Sequence, residues 1–154
     1  MNVLVVYDST YGGTRTVANQ VGFALRGTVI RVADATLGLL VKNDLLVVGS
    51  PTIAGHPTKA ICDFLAGIPG QVARRLRAIA FDTRLPDEFD RTLGYAAAYM
   101  NEMLQQKGCL SVAEPEGFLV ERVDGVLRHG EISRALAWAN EVLRLLQVCE
   151  SVTW

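Results

Sequence analysis

The segment Tyr7-Asp8-Ser9-Thr10-Tyr11-Gly12-Gly13-Thr14-Arg15-Thr16 holds the residue types needed to grip a phosphate. Ser9, Thr10, Thr14 and Thr16 offer hydroxyl donors. Gly12 and Gly13 permit the positive φ and close backbone approach that let several N–H groups converge on one anion. A helical pattern follows, and its positive N-terminal end points at the same spot. A hairpin turn at Gly12-Gly13 is the alternative, but a hairpin needs a strand after it, and Val17 to Leu25 has helical periodicity. The G-x-x-x-x-G-K-[ST] phosphate loop and the G-x-G-x-x-G dinucleotide fingerprint are both absent.

The flanking elements position this loop. Val3 to Tyr7 is a short β-branched-rich run, the pattern of a strand buried on both faces. Thr14 to Arg26 puts Val17, Ala18, Val21, Ala24 and Leu25 on one helical stripe, which Gly27 ends. Thr28 to Val32 reads as a second strand and Leu45 to Gly49 as a third, entered through Lys42-Asn43-Asp44. The loop Ser50 to Pro57 leads to a helix from about Thr58, with Ile61, Phe64 and Leu65 inward. Ala78 to Phe81 is a fourth strand, whose exit Asp82-Thr83-Arg84-Leu85-Pro86 makes a third loop. A helix from about Phe89 or Asp90 to Lys107 is expected to bury Leu93, Ala97, Met100 and Leu104.

Cys109 to Val112 and Gly117 to Val120 read as two pieces of a fifth strand, split around Pro115, which cannot donate within a central ladder. From Glu131, the residues Ile132, Ala135, Leu136, Ala139, Val142, Leu143 and Leu146 keep a 3.6-residue period to the last helix. Five apolar strands alternating with helices imply an α/β fold with a parallel sheet covered on both faces. Such sheets place ligands at the carboxyl ends of strands. The loops after strands one, three and four all leave such ends, so they converge on one ligand, the first taking a phosphate.

With 154 residues, half of them hydrophobic, and a net charge of −1, the chain reads as one domain spanning 1–154, with no electrostatic bias toward nucleic acid or anionic lipid. The run Val3 to Val6 is far shorter than a signal-peptide core, and no apolar stretch approaches the roughly 20 residues of a membrane span, so no membrane partner and a cytoplasmic location are expected. Cys62, Cys109 and Cys149 are odd in number and far apart, which argues for small core residues over a disulfide framework or a zinc site.

Ser9-Thr10-Tyr11-Gly12-Gly13-Thr14 resembles the phosphate loop of the flavodoxin family, in which a hydroxyl residue, a spacer, Thr or Tyr, Gly, a spacer and Thr cradle FMN. Gly49-Ser50-Pro51-Thr52 is similar to the second flavin loop of flavodoxin domains in diflavin-diiron proteins. Glu114 to Val120, through Gly130-Glu131, is similar to single-domain flavodoxin-like proteins. The resemblance implies a three-layer α/β/α sandwich with a five-stranded parallel sheet in the order 2-1-3-4-5, holding FMN noncovalently. Carried over by residue, Ser9 and Thr14 would bond the phosphate through their hydroxyls, and Thr10, Tyr11, Gly12 and Gly13 would complete the backbone nest. Pro51, Thr52, Ile53, Ala54 and Gly55 would lie near the ribityl chain and isoalloxazine, and Asp82, Thr83 and Arg84 would form the third loop.

The third loop departs from the family pattern in having neither glycines nor an aromatic, and Ile53 stands where a ring could stack, which leaves Tyr11, Tyr95 or Phe89 as substitutes. Arg84 beside the flavin pyrimidine edge would raise the reduction potential. The implied function is a small electron-transfer carrier between redox partner proteins, a monomer or homodimer, with no catalytic side chain and no metal ligand required. Two other readings remain: an FMN-dependent reductase of quinones or similar small-molecule acceptors, and a chain that keeps the fold but binds only an anion or a protein partner.

The remaining polar residues have plainer readings. Asp8 reads as a loop-capping acceptor, with a metal ligand as the alternative. His56 before Pro57 reads as an exposed loop residue, with a proton donor as the alternative. Arg74-Arg75-x-Arg77 reads as a solvated turn or a dock for an acidic redox partner.

Overall fold

The computed structural model describes residues 1–86, 93–122 and 125–152. Its elements in chain order are β1 (Val3–Tyr7), α1 (Gly13–Leu25), β2 (Thr28–Arg31), a turn of 3-10 helix (Val32–Asp34), α2 (Leu37–Val41), β3 (Leu45–Pro51), α3 (Lys59–Ala66) and α4 (Gly70–Ala73). Then come β4 (Arg77–Arg84), α5 (Ala96–Lys107), β5 (Leu110–Ser111), β6 (Glu116–Leu119) and α6 (Glu131–Val152).

The strands pair in parallel in the order β2-β1-β3-β4-β5, with β6 also on β4. β5 sets Leu110 against Arg77 at the start of β4, and β6 sets Glu116 to Leu119 against Phe81 to Arg84 at its end. The two pieces thus share the fifth position, divided where Pro115 would break the ladder. Alternation along the central strands splits the core into two layers. Val3, Val5, Tyr7, Val47 and Ile79 pack with Ala18, Val21, Ala139 and Leu146 of α1 and α6. Leu4, Val6, Leu46, Val48 and Ala80 pack with Ile61, Leu65, Met100 and Leu104 of α3 and α5. This is the expected three-layer sandwich in the expected strand order. No helix among the described residues is long and apolar enough to cross a membrane.

Several boundaries move. β4 runs on to Arg84, so Asp82 and Thr83 lie in the strand and not in an exit loop. They pair with Ser50 and Pro51 on one side and with Gly117 and Phe118 on the other, and ladders on both sides override their polarity. β3 likewise extends to Pro51. The expected helix start at Phe89 or Asp90 lies outside the described residues; α5 begins at Ala96, after Gly94 at φ 91°, and Leu93 is 46% exposed where burial was expected. Cys109 is a core residue, with its thiol pushed up to about 11 by burial.

The fifth position is sealed by Phe81, Phe118 and Trp138, whose rings meet edge to face with centroids 5.8 to 6.1 Å apart. An ion-pair network fixes β6 to the first turn of α6. The buried Glu131 accepts from the Leu119 N–H at 2.7 Å and from Arg134 Nε at 2.9 Å. Arg134 also donates to the Gly117 carbonyl, pairs with Glu116 at 3.2 Å and lies over the Phe118 ring. Arg134 first, and the Leu119 N–H after it, hold the Glu131 carboxyl below its ordinary value of 4.5, against the effect of burial.

Because the folded value is the lower one, Glu131 contributes stability that is fully present above the ordinary glutamate range and is lost as pH falls through the depressed folded value. Glu131→Gln is therefore expected to lower stability by about 1 kcal/mol at pH 7. Urea melts at successively lower pH should show the gap to the parent protein closing in acid, whereas a gap that widens in acid would contradict this assignment.

Candidate functional site

The carboxyl ends of β1, β3, β4 and β6 open onto a cleft of about 310 Å3. Ser9, Thr10, Tyr11, Gly13 and Thr14 line one end, Pro51, Thr52 and Ile53 a second wall, and Thr83, Arg84 and Leu85 a third. A fourth segment, Val120, Arg122 and Gly125, completes it. The first three are the loops expected to converge. Of the expected site residues, Gly12, Ala54, Gly55 and Asp82 do not line the cleft.

At the first loop, Gly12 takes φ 101° and caps α1 without a side-chain bond. The N–H groups of the first helical turn therefore receive no side-chain acceptor from the cap, the arrangement that makes a helix start an anion site. Asp8 Oδ1 accepts from the Ser9 N–H at 3.0 Å, and Arg31 donates to the Ser9 carbonyl at 3.1 Å, so both groups shape the loop. Ser9 Oγ accepts from the Gly12 N–H at 3.0 Å, which leaves its own proton to donate. The Thr14 and Thr83 hydroxyls meet at 2.8 Å, buried at the floor of the cleft. One donates to the other, so the pair retains one proton for a further acceptor.

The second wall is a tight hairpin turn. Ile53 and His56 exchange backbone bonds of 2.9 and 3.0 Å, with Ala54 at φ 48° and Gly55 at φ 84° between them. This explains why Ala54 and Gly55 stay outside the cleft while Ile53, 54% exposed, stands at its rim. His56 is exposed, its ring edge-on to Tyr99 at 5.3 Å.

The third wall hides a buried ion pair. Asp82 is 0% exposed and accepts from Arg84 Nε at 2.7 Å, from Arg84 Nη2 at 2.8 Å and from the Ala97 N–H at 2.9 Å. The Thr52 hydroxyl bonds the same carboxyl and itself accepts from the Ala96 N–H at 3.0 Å. Burial pushes the Asp82 carboxyl above its ordinary value, opposed by Arg84, Ala97 and Thr52. The Arg84 guanidinium lies flat between the Tyr95 ring, 3.6 Å from its centroid, and Gly117, where a Cβ would come within 2.1 Å of Arg84 Nε. Arg84 thus has its charge matched by Asp82, and Tyr95 is engaged with Arg84 rather than open to stack on a ligand. Phe89 lies outside the described residues. Tyr11, 62% exposed at the mouth, is the remaining aromatic of the three.

The fourth segment was not legible as part of the site. Leu119 to Glu121 bonds back to Val126 to Arg128 through Glu121 N–H to the Val126 carbonyl (2.7 Å) and Arg128 N–H to the Leu119 carbonyl (2.9 Å). Gly125 sits on the first loop: a Cβ on Gly13 would lie 2.4 Å from the Gly125 carbonyl oxygen. Nothing in one dimension says that Gly125 meets the first loop.

The site and topology define a flavodoxin-like fold. Flavodoxin 1 from Bacillus cereus superposes with a TM-score of 0.75 at 19% identity, over 94% of this chain and 98% of that one. A flavodoxin, WrbA-like protein from Agrobacterium tumefaciens gives 0.74 at 21% identity, over 95% and 98%. Rubredoxin oxygen:oxidoreductase from Desulfovibrio gigas gives 0.74 at 18% identity, over 96% of this chain and 36% of that one. No family model and no curated protein matches the sequence.

Removing Arg84 leaves Asp82 buried with one backbone donor, the Ala97 N–H, and the Thr52 hydroxyl, and no cation. Arg84→Ala is expected to cost about 3 kcal/mol in urea unfolding at pH 7. A loss below about 0.5 kcal/mol, the size of an exposed pair, would contradict the structural role given to this ion pair.

Proposed function

We propose that the chain binds FMN noncovalently and serves as a small electron carrier between redox partners. The observation that carries this reading is the cap-free start of α1, flanked by the Ser9 hydroxyl and the Thr14–Thr83 hydroxyl pair, at one end of a cleft with apolar walls. That end suits a phosphate monoester. Tyr11, Ile53, Leu85 and Val120 suit a planar heteroaromatic body. The residues present therefore fit the group, and the flavodoxins of the same fold support its identity.

FMN supplies reversible one- and two-electron chemistry when bound. The chain binds and orients. Ser9 and one hydroxyl of the Thr14–Thr83 pair would donate to the phosphate with the α1 backbone, Thr52 and Ile53 would flank the ring system, and Asp82–Arg84 holds the third wall in place. Because Arg84 is matched by Asp82, the third wall presents little net charge to the ring. The exposed apolar rim of Tyr11 and Ile53 leaves an edge accessible to a redox partner protein, or to a small acceptor if the chain is instead a reductase.

Purified protein is expected to be yellow or to quench flavin fluorescence on titration with FMN. Ser9→Ala and Thr14→Val should each weaken FMN roughly tenfold, the scale of a donor lost to a charged acceptor. Colourless protein with no quenching at high micromolar FMN would overturn the reading. Turnover with a nicotinamide donor and a quinone would replace the carrier with the reductase.

A further inference from the structure

The segments that lead into β3 and β4 enclose a second concavity, of about 450 Å3, which shares no lining residue with the cleft. Its apolar walls come from Leu40 and Val41 of α2 and from Val72 and Leu76 in and after α4. Arg74 and Arg75 are its only charged lining residues, and it has no carboxylate. Leu76 directly precedes β4, which from Arg77 to Arg84 runs about 23 Å at roughly 3.3 Å per residue. The concavity therefore lies at the opposite end of the sheet from Thr83 and Arg84.

Both guanidiniums are unmatched. Among the described residues, neither Arg74 nor Arg75 has a side-chain hydrogen bond or an ion pair. The carboxylates nearest in the chain are engaged elsewhere: Asp44 accepts from the Asn2 N–H at 2.8 Å and Asp63 from Lys59 at 2.8 Å. Two cations in succession without a counter-charge repel each other, and a bound anion relieves that repulsion. Arg74 is also held in place. Its Cγ would lie 2.9 Å from a Cβ on Gly108 and its Nη1 3.3 Å from one on Gly70, so the side chain is laid close across the backbone at both glycines. A cation packed in this way gives up less freedom on taking a ligand than one swinging in solvent.

We propose that this concavity is a second ligand site, which takes a small phosphate monoester with an apolar body. Each planar guanidinium offers a fork of donors matched to phosphate oxygens. A phosphate monoester carries about −1.5 to −2 near neutral pH, which two guanidiniums match and a single carboxylate would not. Leu40, Val41, Val72 and Leu76 receive the apolar body, and the volume is that of a small-molecule site. The site has no residue in common with the cleft, so this inference stands apart from the flavin reading.

The test is a titration of the parent protein with phenyl phosphate, followed by NMR of the Leu and Val methyl groups and the arginine Nε–H groups. Saturable shifts are expected at Leu40, Val41, Val72 and Arg74, with benzoate binding more weakly than phenyl phosphate. Both arginines are exposed and therefore screened, so Arg74→Gln and Arg75→Gln are each expected to weaken phenyl phosphate about 3- to 10-fold, with Arg74→Lys and Arg75→Lys keeping most of the affinity. Raising the salt should weaken binding to the parent in the same direction, which tests the charge contribution without any substitution. Shifts confined to the Ser9 to Thr14 end, no shifts at all, benzoate binding as tightly as phenyl phosphate, or affinity indifferent to salt and to both glutamine variants would each overturn the proposal. FMN affinity is expected to be the same in the parent and in the glutamine variants; a chain that binds no FMN but gives the shifts at Val72 and Arg74 would lose the flavin reading and keep this one.

Discussion

A carboxylate buried at the end of the central sheet is the constraint on which the far wall of the cleft depends. Asp82 has no exposed surface, and a charge so placed is tolerated only when its lone pairs are filled. They are filled from three elements at once: Arg84 on the same strand, the Ala97 N–H at the start of α5, and Thr52 beyond the end of β3. Satisfying one buried group thus fixes the entry of α5 and the second loop together, with Thr52 bonded in turn to the Ala96 N–H. The stacking of Arg84 between Tyr95 and Gly117 extends the same arrangement to β6.

The end of the cleft lined by Ser9 to Thr14 is built on the opposite plan. No buried charge organises it; its donors are a cap-free helix start, Ser9, and a pair of threonine hydroxyls that share one bond and keep one proton. Donors of this kind are oriented before any ligand arrives, since Asp8, Arg31 and Gly12 already fix the loop. One end of the cleft therefore carries hydroxyl and N–H donors already held in place, while at the other the charge of Arg84 is matched by Asp82.

Much of this was legible in one dimension. Val3 to Tyr7 and Leu45 to Gly49 are apolar throughout because both faces of their strands are covered, and the hydroxyl and glycine pattern from Ser9 to Thr14 marked a loop that lines one end of the cleft. What was not legible has physical reasons. Asp82 and Thr83 read as loop because polar residues mark strand exits on average, and only their pairing with Ser50, Pro51, Gly117 and Phe118 shows that β4 continues. The helices α2 and α4, of five and four residues, are shorter than the window in which a 3.6-residue period can be seen. The segment with Val120 and Gly125 escaped because its place in the cleft depends on a contact with the first loop more than a hundred positions away, between Gly13 and Gly125.

The central claim, that the loop from Ser9 to Thr14 holds the phosphate of FMN, is tested most directly by phosphorus NMR of the protein with FMN across pH 5 to 8. A phosphate gripped by fixed donors should give a resonance displaced from that of the unbound ligand and insensitive to pH through the ordinary second ionisation near about 6. A phosphorus signal that titrates as in unbound FMN while the flavin fluorescence is quenched would place the phosphate in solvent and contradict the account.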